Sequence, residues 1–222
     1  MIAIFDWDGT LCDSVEHIVS AMRDAAVEVA LEPPAAAAVR NIVGLGLPQA
    51  LARLFPALDN GHRAALATAY SLHFSSPDRG PARLFEGAMD TLQGLRSRGI
   101  ELAVATGKSR KGLNRVLAEL ELASFFEATR CADETRSKPH PLMLHEIMSD
   151  RGKSADEVVV IGDSEYDLAM AREAGVRSVG VSFGVHDKER LSAFEPQAII
   201  DELPQLLDLP LWPVSPGAGE HR

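Results

Sequence analysis

The chain has 222 residues, of which 46% are hydrophobic, and its formal net charge at pH 7 is −10. The acidic surplus argues against general nucleic-acid binding, because no excess of cations exists to neutralise a phosphate backbone. It leaves open a small anionic substrate, which needs only local positive charge or a metal.

The first predicted element is a strand that ends in two carboxylates. The apolar run Ile2–Phe5 is typical of a strand buried on both faces, as in a parallel sheet. Asp6 and Asp8 follow it, where burial is costly unless a cation or a shared proton lies nearby. This pair suits a metal-assisted nucleophile beside an acid–base partner, so we expect an active site here rather than a solvated turn.

The N-terminal sequence and the cysteines predict a cytoplasmic protein. Met1 leads directly into the strand-like run, so we expect no secretory signal, and no apolar stretch reaches membrane-spanning length. Cys12 and Cys131 are the two cysteines of the chain; they lack metal-ligand spacing and favour a reducing compartment. We expect no membrane partner, and at this size a monomer or a weak homodimer.

Residues 14–81 predict an all-helical insert, because no strand-like run interrupts them. Apolar residues recur at helical spacing between residues 15 and 29, and further helices are predicted from residue 35, over 49–55 and over 60–74. Residues 75–81, rich in Ser, Pro and Gly, form the predicted hinge back to the first domain.

From residue 87 onward the sequence alternates between helix and strand. Strands are predicted at residues 102–105, 128–131, 158–161, 179–181 and 198–200, and helices at 87–98, 109–120, 141–150 and 168–174. The alternation implies a parallel sheet with right-handed crossovers, which binds ligands beyond the carboxyl ends of its strands. We therefore predict a core of residues 1–13 and 82–212, a helical cap of 14–81, and a mobile tail of 213–222.

Polar residues near the later strands are weak signals when each is taken alone. Taken alone, Thr106 is better explained as the N-cap of the next helix, and Lys138 as an ordinary surface lysine. Asp163 and Asp167 could be carboxylates that interact with a helix dipole. Their order along the chain and their places beside strand ends make them a candidate site together with Asp6.

In that order, these stretches resemble the four motifs of the haloacid dehalogenase-like hydrolase superfamily over nearly the whole chain. Residues 5–11 (FDWDGTL) look like its first motif, Thr106 its second, Lys138 its third and residues 162–167 (GDSEYD) its fourth. The helical insert is similar to the cap of the phosphoglycolate phosphatase-like branch. The resemblance implies an α/β fold with a Rossmann-like parallel sheet core, helices on both faces, and an inserted all-helical cap domain.

The resemblance also implies a mechanism, with Asp6, Asp8, Thr106 and Lys138 as the catalytic residues. Asp6 would attack phosphorus and form an aspartyl-phosphate. Asp8 would protonate the leaving alcohol and then deprotonate the hydrolytic water. Thr106, the backbone N–H of Gly107 and Lys138 would bind the phosphoryl group and offset its charge.

The implied cofactor is Mg²⁺. Its ligands would be the Asp6 carboxylate, the backbone carbonyl of Asp8 and Asp163, with Asp167 as a direct or water-mediated ligand. A site in which all ligands are oxygens, a few from the protein and several from water, suits this ion.

Particular residues separate the branches of the superfamily. Dehalogenases generally lack the second aspartate of the first motif, so Asp8 favours phosphoryl chemistry. The phosphonate-cleaving branch needs a cap lysine, and residues 14–85 contain none. Leu47 stands where sugar-phosphate mutases of the β-phosphoglucomutase type carry a phosphate-binding Arg, which disfavours that alternative. Gly107 replaces the Asn that many relatives carry, a departure that bears on substrate contacts.

Two readings outside the superfamily are weaker. A phospho-accepting receiver-like signalling domain also uses a strand-end Asp, Mg²⁺, a Thr and a Lys, but it has no helical insert and no use for Asp8. Residues 107–109 (GKS) are similar to the end of a nucleotide-binding P-loop, but Leu102 stands where that motif needs a Gly.

The predicted cap supplies the candidate specificity residues. The loop of Gly44, Leu45, Gly46 and Leu47 is the favoured element, because its glycines permit unusual backbone shapes over a closing site. Several arginines and histidines of the cap could contact a substrate carboxylate or hydroxyl, although most surface arginines are merely solvated: His17, Arg23, Arg40, Arg53, His62, Arg63 and His73. We expect the cap to close on two hinges, near residues 12–14 and 75–81, and to exclude water during chemistry. The expected partner is a small phosphorylated metabolite, with phosphoglycolate as first candidate and phosphosugars, nucleotides and pyrophosphate open.

Overall fold

The computed structural model describes residues 1–213, apart from the side chain of Arg79, so residues 214–222 of the predicted tail lie outside the described chain. The strands are β1 (Ile2–Phe5), β2 (Glu101–Thr106), β3 (Ala128–Cys131), β4 (Val158–Gly162), β5 (Arg177–Val181) and β6 (Ala198–Ile200). The helices are α1 (Val15–Glu28), α2 (Ala36–Arg40), α3 (Leu47–Leu54), α4 (Asn60–Phe74), α5 (Ala88–Ser97), α6 (Arg110–Glu119), α7 (Leu142–Arg151), α8 (Glu165–Glu173) and α9 (Lys188–Ser192). Short 3-10 helices cover Pro77–Arg79, Ala123–Phe125, Ala155–Glu157 and Leu203–Asp208.

The six strands lie in the order β3-β2-β1-β4-β5-β6, and every neighbouring pair is parallel. The predicted Rossmann-like sheet is confirmed. From β1 the chain builds outward through β2 and β3, then continues on the other side from β4 to β6. The strand order therefore reverses between β1 and β4, although all strands run in the same direction. In sheets of this kind ligands bind at such a switch point, beyond the carboxyl ends of the strands.

The residues of β1 alternate between two apolar layers, which explains why this strand is apolar throughout. Ala3 and Phe5 belong to the layer that contains α5 and α6, whereas Ile2 and Ile4 belong to the layer that contains α7 and α8. All four side chains are buried. Helices therefore cover both faces of the sheet, as a fully parallel sheet requires.

The segment between the first motif and residue 81 contains α1 to α4 and a 3-10 turn, without a strand. These helices share an apolar cluster of their own, to which α8 contributes Tyr166. The division into a core and a cap stays a prediction, and this separate cluster is consistent with it. Within residues 1–213, no helix has the length and apolarity that crossing a bilayer requires.

The structure extends one predicted helix and adds another. Helix α8 begins at Glu165, not at Leu168, because the Ser164 hydroxyl accepts the Asp167 N–H and the Asp167 carboxylate accepts the Ser164 N–H. This reciprocal cap satisfies two donors that the helix start would otherwise leave without partners. Helix α9 was not predicted, since its five residues are mostly polar and show no helical periodicity.

The central strand should be the most sensitive part of the fold. Replacing Ile4, which is fully buried, with Ala should lower the free energy of unfolding by about 2–5 kcal/mol. Val27→Ala, at a position on α1 that is 62% exposed, should change it by less than about 0.5 kcal/mol. Urea unfolding of both variants measures the difference, and equal midpoints would contradict the assignment of β1 to the core.

Candidate active site

Buried charges meet where β1 and β4 end. Asp6 follows β1 and donates its N–H to the Ile161 carbonyl at 2.9 Å, so it continues the strand pairing. Lys138, in the loop between β3 and α7, places its Nζ 2.6 Å from Asp6 Oδ1 and 2.5 Å from Asp167 Oδ1. Its side chain is fully buried. The alternative of an ordinary surface lysine is therefore wrong.

Asp163 and Asp167 are fixed by neighbours of their own. Asp163 accepts hydrogen bonds from the Thr10 hydroxyl at 3.0 Å and from the Val185 N–H at 2.9 Å. Asp167 accepts the Ser164 hydroxyl at 2.6 Å on the oxygen that does not face Lys138. Both carboxylates are almost completely buried. They are therefore held in place rather than solvated at a helix end.

The clustering of buried carboxyl groups shifts their pKa values. Burial raises the pKa of Asp6 well above its usual value, and the charges of Asp167 and Asp163 raise it further, although Lys138 opposes them. Burial and the charge of Asp167 raise the pKa of Asp163 to about 7. Burial alone would lower the pKa of Lys138, but its two carboxylate partners hold it above the usual value. With one ammonium among three carboxylates, the cluster therefore has an excess of negative charge.

The same three carboxylates fit a divalent cation. One oxygen each of Asp6, Asp163 and Asp167 lies within 4.8 Å of the others. Asp6 Oδ2 is buried and has no hydrogen-bond partner among residues 1–213. Carboxylate oxygens are the ligands that Mg²⁺ prefers, and its charge would offset their repulsion. The predicted contribution of the Asp8 backbone carbonyl stays a prediction.

The side chain of Asp8 lies in a different environment from Asp6. Its carboxylate accepts the Ser14 hydroxyl at 2.5 Å and the Lys108 ammonium at 2.8 and 2.9 Å. Lys108 Nζ also lies 4.5 Å from the centre of the Phe74 ring, at the end of α4. Asp8 is thus tied to the residue before α1 and, through Lys108, to the end of α4.

Lys108 is a site residue that the sequence analysis missed. Its partner Asp8 is 100 residues away in the sequence, and the local GKS pattern suggested only a P-loop remnant. Its position two residues beyond Thr106, at the end of a central strand, was the available signal. Side chains there project toward the same edge of the sheet as Asp6.

Thr106 and Gly107 lie at the end of β2. Thr106 is fully buried and its hydroxyl accepts the Lys108 N–H at 3.1 Å, whereas Ser109 caps α6. The alternative of Thr106 as a helix N-cap is therefore wrong. A Cβ added at Gly107 would lie 2.6 Å from the Leu45 carbonyl oxygen. The close approach of that loop leaves no room for a side chain at this position, which requires glycine here.

The predicted specificity loop lies directly over this part of the site. Gly44, Leu45 and Leu47 line a cavity of about 680 Å³ whose floor includes Asp6 and Asp8. The Gly46 N–H donates to the Ser137 hydroxyl at 2.8 Å, beside Lys138. The loop thus contacts the core next to both Gly107 and Lys138.

The candidate arginines and histidines of the predicted cap do not line this cavity. His17 lines a smaller neighbouring cavity, and the others contact nearby groups: Arg23 the Pro34 carbonyl, Arg40 Glu16, Arg53 the Tyr166 hydroxyl, Arg63 the Pro56 carbonyl, His62 Asp59 and His73 Glu28. The cations at the cavity come from the core instead: Lys108, Lys111 and Arg115. The structure therefore brings none of these candidate residues to the lining of this cavity.

Comparison with known proteins identifies the family. The family model for haloacid dehalogenase-like hydrolases matches residues 3–181. The chain belongs to this family. It is 34% identical to the probable phosphatase IndB of Dickeya dadantii, over 93% of this chain and 91% of that protein. It is 30% identical to a phosphoglycolate phosphatase of Vibrio vulnificus, over 93% and 94% of the two chains.

A solved structure supports the same fold. The chain superimposes on a haloacid dehalogenase-like hydrolase from Bacteroides fragilis with a TM-score of 0.84 and 25% identity, covering 92% of this chain and 98% of the other. The resemblance inferred from the motifs, and the class of enzyme it implies, are confirmed.

Metal binding should depend on pH in a defined direction. Without metal, the raised pKa of Asp163 means that its protonation stabilises the native state at low pH, and this contribution is lost as pH rises toward about 7. Mg²⁺ needs the ionised carboxylates, so its thermal stabilisation should be larger at about pH 8 than at about pH 5. Melting temperatures with and without Mg²⁺ measure this. Asp163→Asn should lose most of the increase, and an equal increase at both pH values would contradict the assignment.

The contact between Lys108 and Asp8 should matter for turnover. Lys108→Met removes the ammonium that orients Asp8, so kcat for p-nitrophenyl phosphate should fall by about 10²-fold, since acid–base catalysis contributes about 10²- to 10⁴-fold. Lys153→Met is the matched control, because Lys153 pairs with Glu101 at the start of β2. A kcat for Lys108→Met within about twofold of the control would remove Lys108 from this role.

Proposed function

We propose that the protein is a Mg²⁺-dependent phosphatase that hydrolyses a small phosphate monoester through an aspartyl-phosphate. The observation that carries this proposal is the arrangement of Asp6. One of its oxygens is held by Lys138, and the other has no hydrogen-bond partner among residues 1–213. Asp6 also lines the large cavity. A carboxylate that Lys138 orients at the cavity is suited to attack phosphorus, and its second oxygen stays available to Mg²⁺.

Asp8 supplies the second part of the mechanism. It lines the same cavity as Asp6, and Ser14 and Lys108 fix its orientation. In this position Asp8 would give a proton to the leaving oxygen, and would then take a proton from the water that hydrolyses the aspartyl-phosphate. Separate partners for the two aspartates support separate roles.

The remaining residues bind and neutralise the phosphoryl group. The Thr106 hydroxyl, the Gly107 N–H and Lys138 would hold its oxygens, as the family resemblance implies. Asp6, Asp163 and the Asp8 carbonyl would hold Mg²⁺, with Asp167 as a direct or water-mediated ligand that also holds Lys138 in place. When bound, Mg²⁺ supplies positive charge that orients the phosphoryl group and offsets its oxygens. The protein itself mainly positions the reacting groups.

The alternatives from the sequence are less well supported. Leu47 lines the cavity, so the position at which a mutase would bind a second phosphate presents an apolar side chain. A receiver-like domain must retain its phosphate, and an oriented Asp8 beside the acceptor would work against that. Phosphoglycolate is the first substrate to compare with others, because several relatives are named phosphoglycolate phosphatase.

Replacement of the nucleophile provides the test. The wild-type protein should release phosphate from p-nitrophenyl phosphate with Mg²⁺ and lose this activity in a metal chelator. Asp6→Asn should lower kcat by at least about 10³-fold, with its fold intact by circular dichroism. Asp90→Asn, at an exposed site on α5, is the control and should retain activity. Near wild-type turnover by Asp6→Asn would contradict the mechanism, and stable labelling without turnover would favour a receiver-like role.

A further inference from the structure

The cavity over Asp6 and Asp8 is larger than a two-carbon substrate requires. Its volume of about 680 Å³ falls within the range of sites that enclose ligands of drug size, about 300–1,000 Å³. We propose, on the basis of the proposed phosphatase function, that the substrate is a phosphate monoester whose alcohol carries a bulky, largely apolar group. The occupant of the cavity is then the alcohol part, with its phosphate at Asp6.

The lining of the cavity supports this class of substrate. The helices and the specificity loop contribute mainly apolar side chains: Ile18, Met22, Ile42, Val43, Leu45, Leu47, Ala50, Ala67, Tyr70, Leu72 and Phe74. Thr68, Ser71 and Ser75 add hydroxyl groups. An apolar lining with a few hydroxyls gains free energy when it removes an apolar ligand from water.

Charge distribution argues against a short carboxylate substrate such as phosphoglycolate. Within residues 1–213, the lining that segment 14–81 contributes includes no charged side chain. On the core side, the Lys108 ammonium is already bound by Asp8. Lys111 and Arg115 also line the cavity, but they are exposed to solvent and lie four residues apart on α6. The side of the cavity that residues 14–81 form therefore offers a substrate carboxylate no positive charge.

Two esters with similar leaving groups isolate the apolar contribution. Ethyl phosphate and phenylethyl phosphate both release a primary alcohol, so they differ chiefly in the ring that the cavity would bury. Burial of a ring of this size should raise kcat/KM by about 10- to 100-fold. Phosphoglycolate is the third substrate, and its kcat/KM should be lower than that of phenylethyl phosphate.

A variant that fills the cavity links the preference to this site. Ala67 lines the cavity on α4, and Ala67→Phe should lower kcat/KM for phenylethyl phosphate by about 10-fold or more while ethyl phosphate changes little. Ala65→Phe is the matched control, because Ala65 is exposed on the same helix and does not line the cavity. It should keep the wild-type preference.

The outcomes separate this inference from the proposed function. A preference for phenylethyl phosphate that Ala67→Phe removes and Ala65→Phe keeps would support it. If all three esters are hydrolysed with Mg²⁺ but phosphoglycolate is preferred, or Ala67→Phe affects all of them equally, the inference fails and the phosphatase function stands. If neither these esters nor p-nitrophenyl phosphate is hydrolysed, both fail.

Discussion

The ion pairs of Lys138 with Asp6 and Asp167 are the interaction on which the site depends. One ammonium with no exposed surface serves two carboxylates, while a third carboxylate, Asp163, lies beside them. Removing a buried partner of this kind typically costs about 3–5 kcal/mol, because the charge left behind cannot reach water. Even with Lys138 in place, the cluster has excess negative charge. That excess gives the protein a physical reason to bind a divalent cation where a phosphate would also be received.

The topology of the sheet makes this cluster possible. Asp6 and Asp163 follow β1 and β4, which are neighbours although more than 150 residues separate them. The two strands therefore end with these acids side by side, where the strand order reverses. The helical segment lies over them and lines the cavity mainly with apolar side chains. Polar contacts join the helical segment to the catalytic residues: the Ser14 hydroxyl donates to Asp8, and the Gly46 N–H donates to the Ser137 hydroxyl next to Lys138. Movement of the helical segment would therefore change the surroundings of both aspartates.

Local sequence predicted the parts of the site that follow from strand burial, and it failed where long-range pairing decides. The apolar runs located β1, β3 and β6 at their observed boundaries, and the acids after β1 and β4 met as expected. Lys108 was missed because nothing near it in the sequence identifies Asp8 as its partner. The arginines and histidines of residues 14–81 were candidate substrate contacts, but their orientation depends on helix packing. The start of α8 was missed because a reciprocal cap, not apolar periodicity, defines it.

The most direct test of the account is to identify the phosphorylated residue during turnover. The enzyme would be quenched with acid while it hydrolyses a radiolabelled phosphate ester in the presence of Mg²⁺, then digested and mapped by mass spectrometry. The account predicts a covalent phosphoryl group on the Asp6 side chain that disappears when substrate is exhausted. A phosphoryl group on Asp8 or on another residue, or steady turnover in which rapid quenching captures no covalent species, would contradict it.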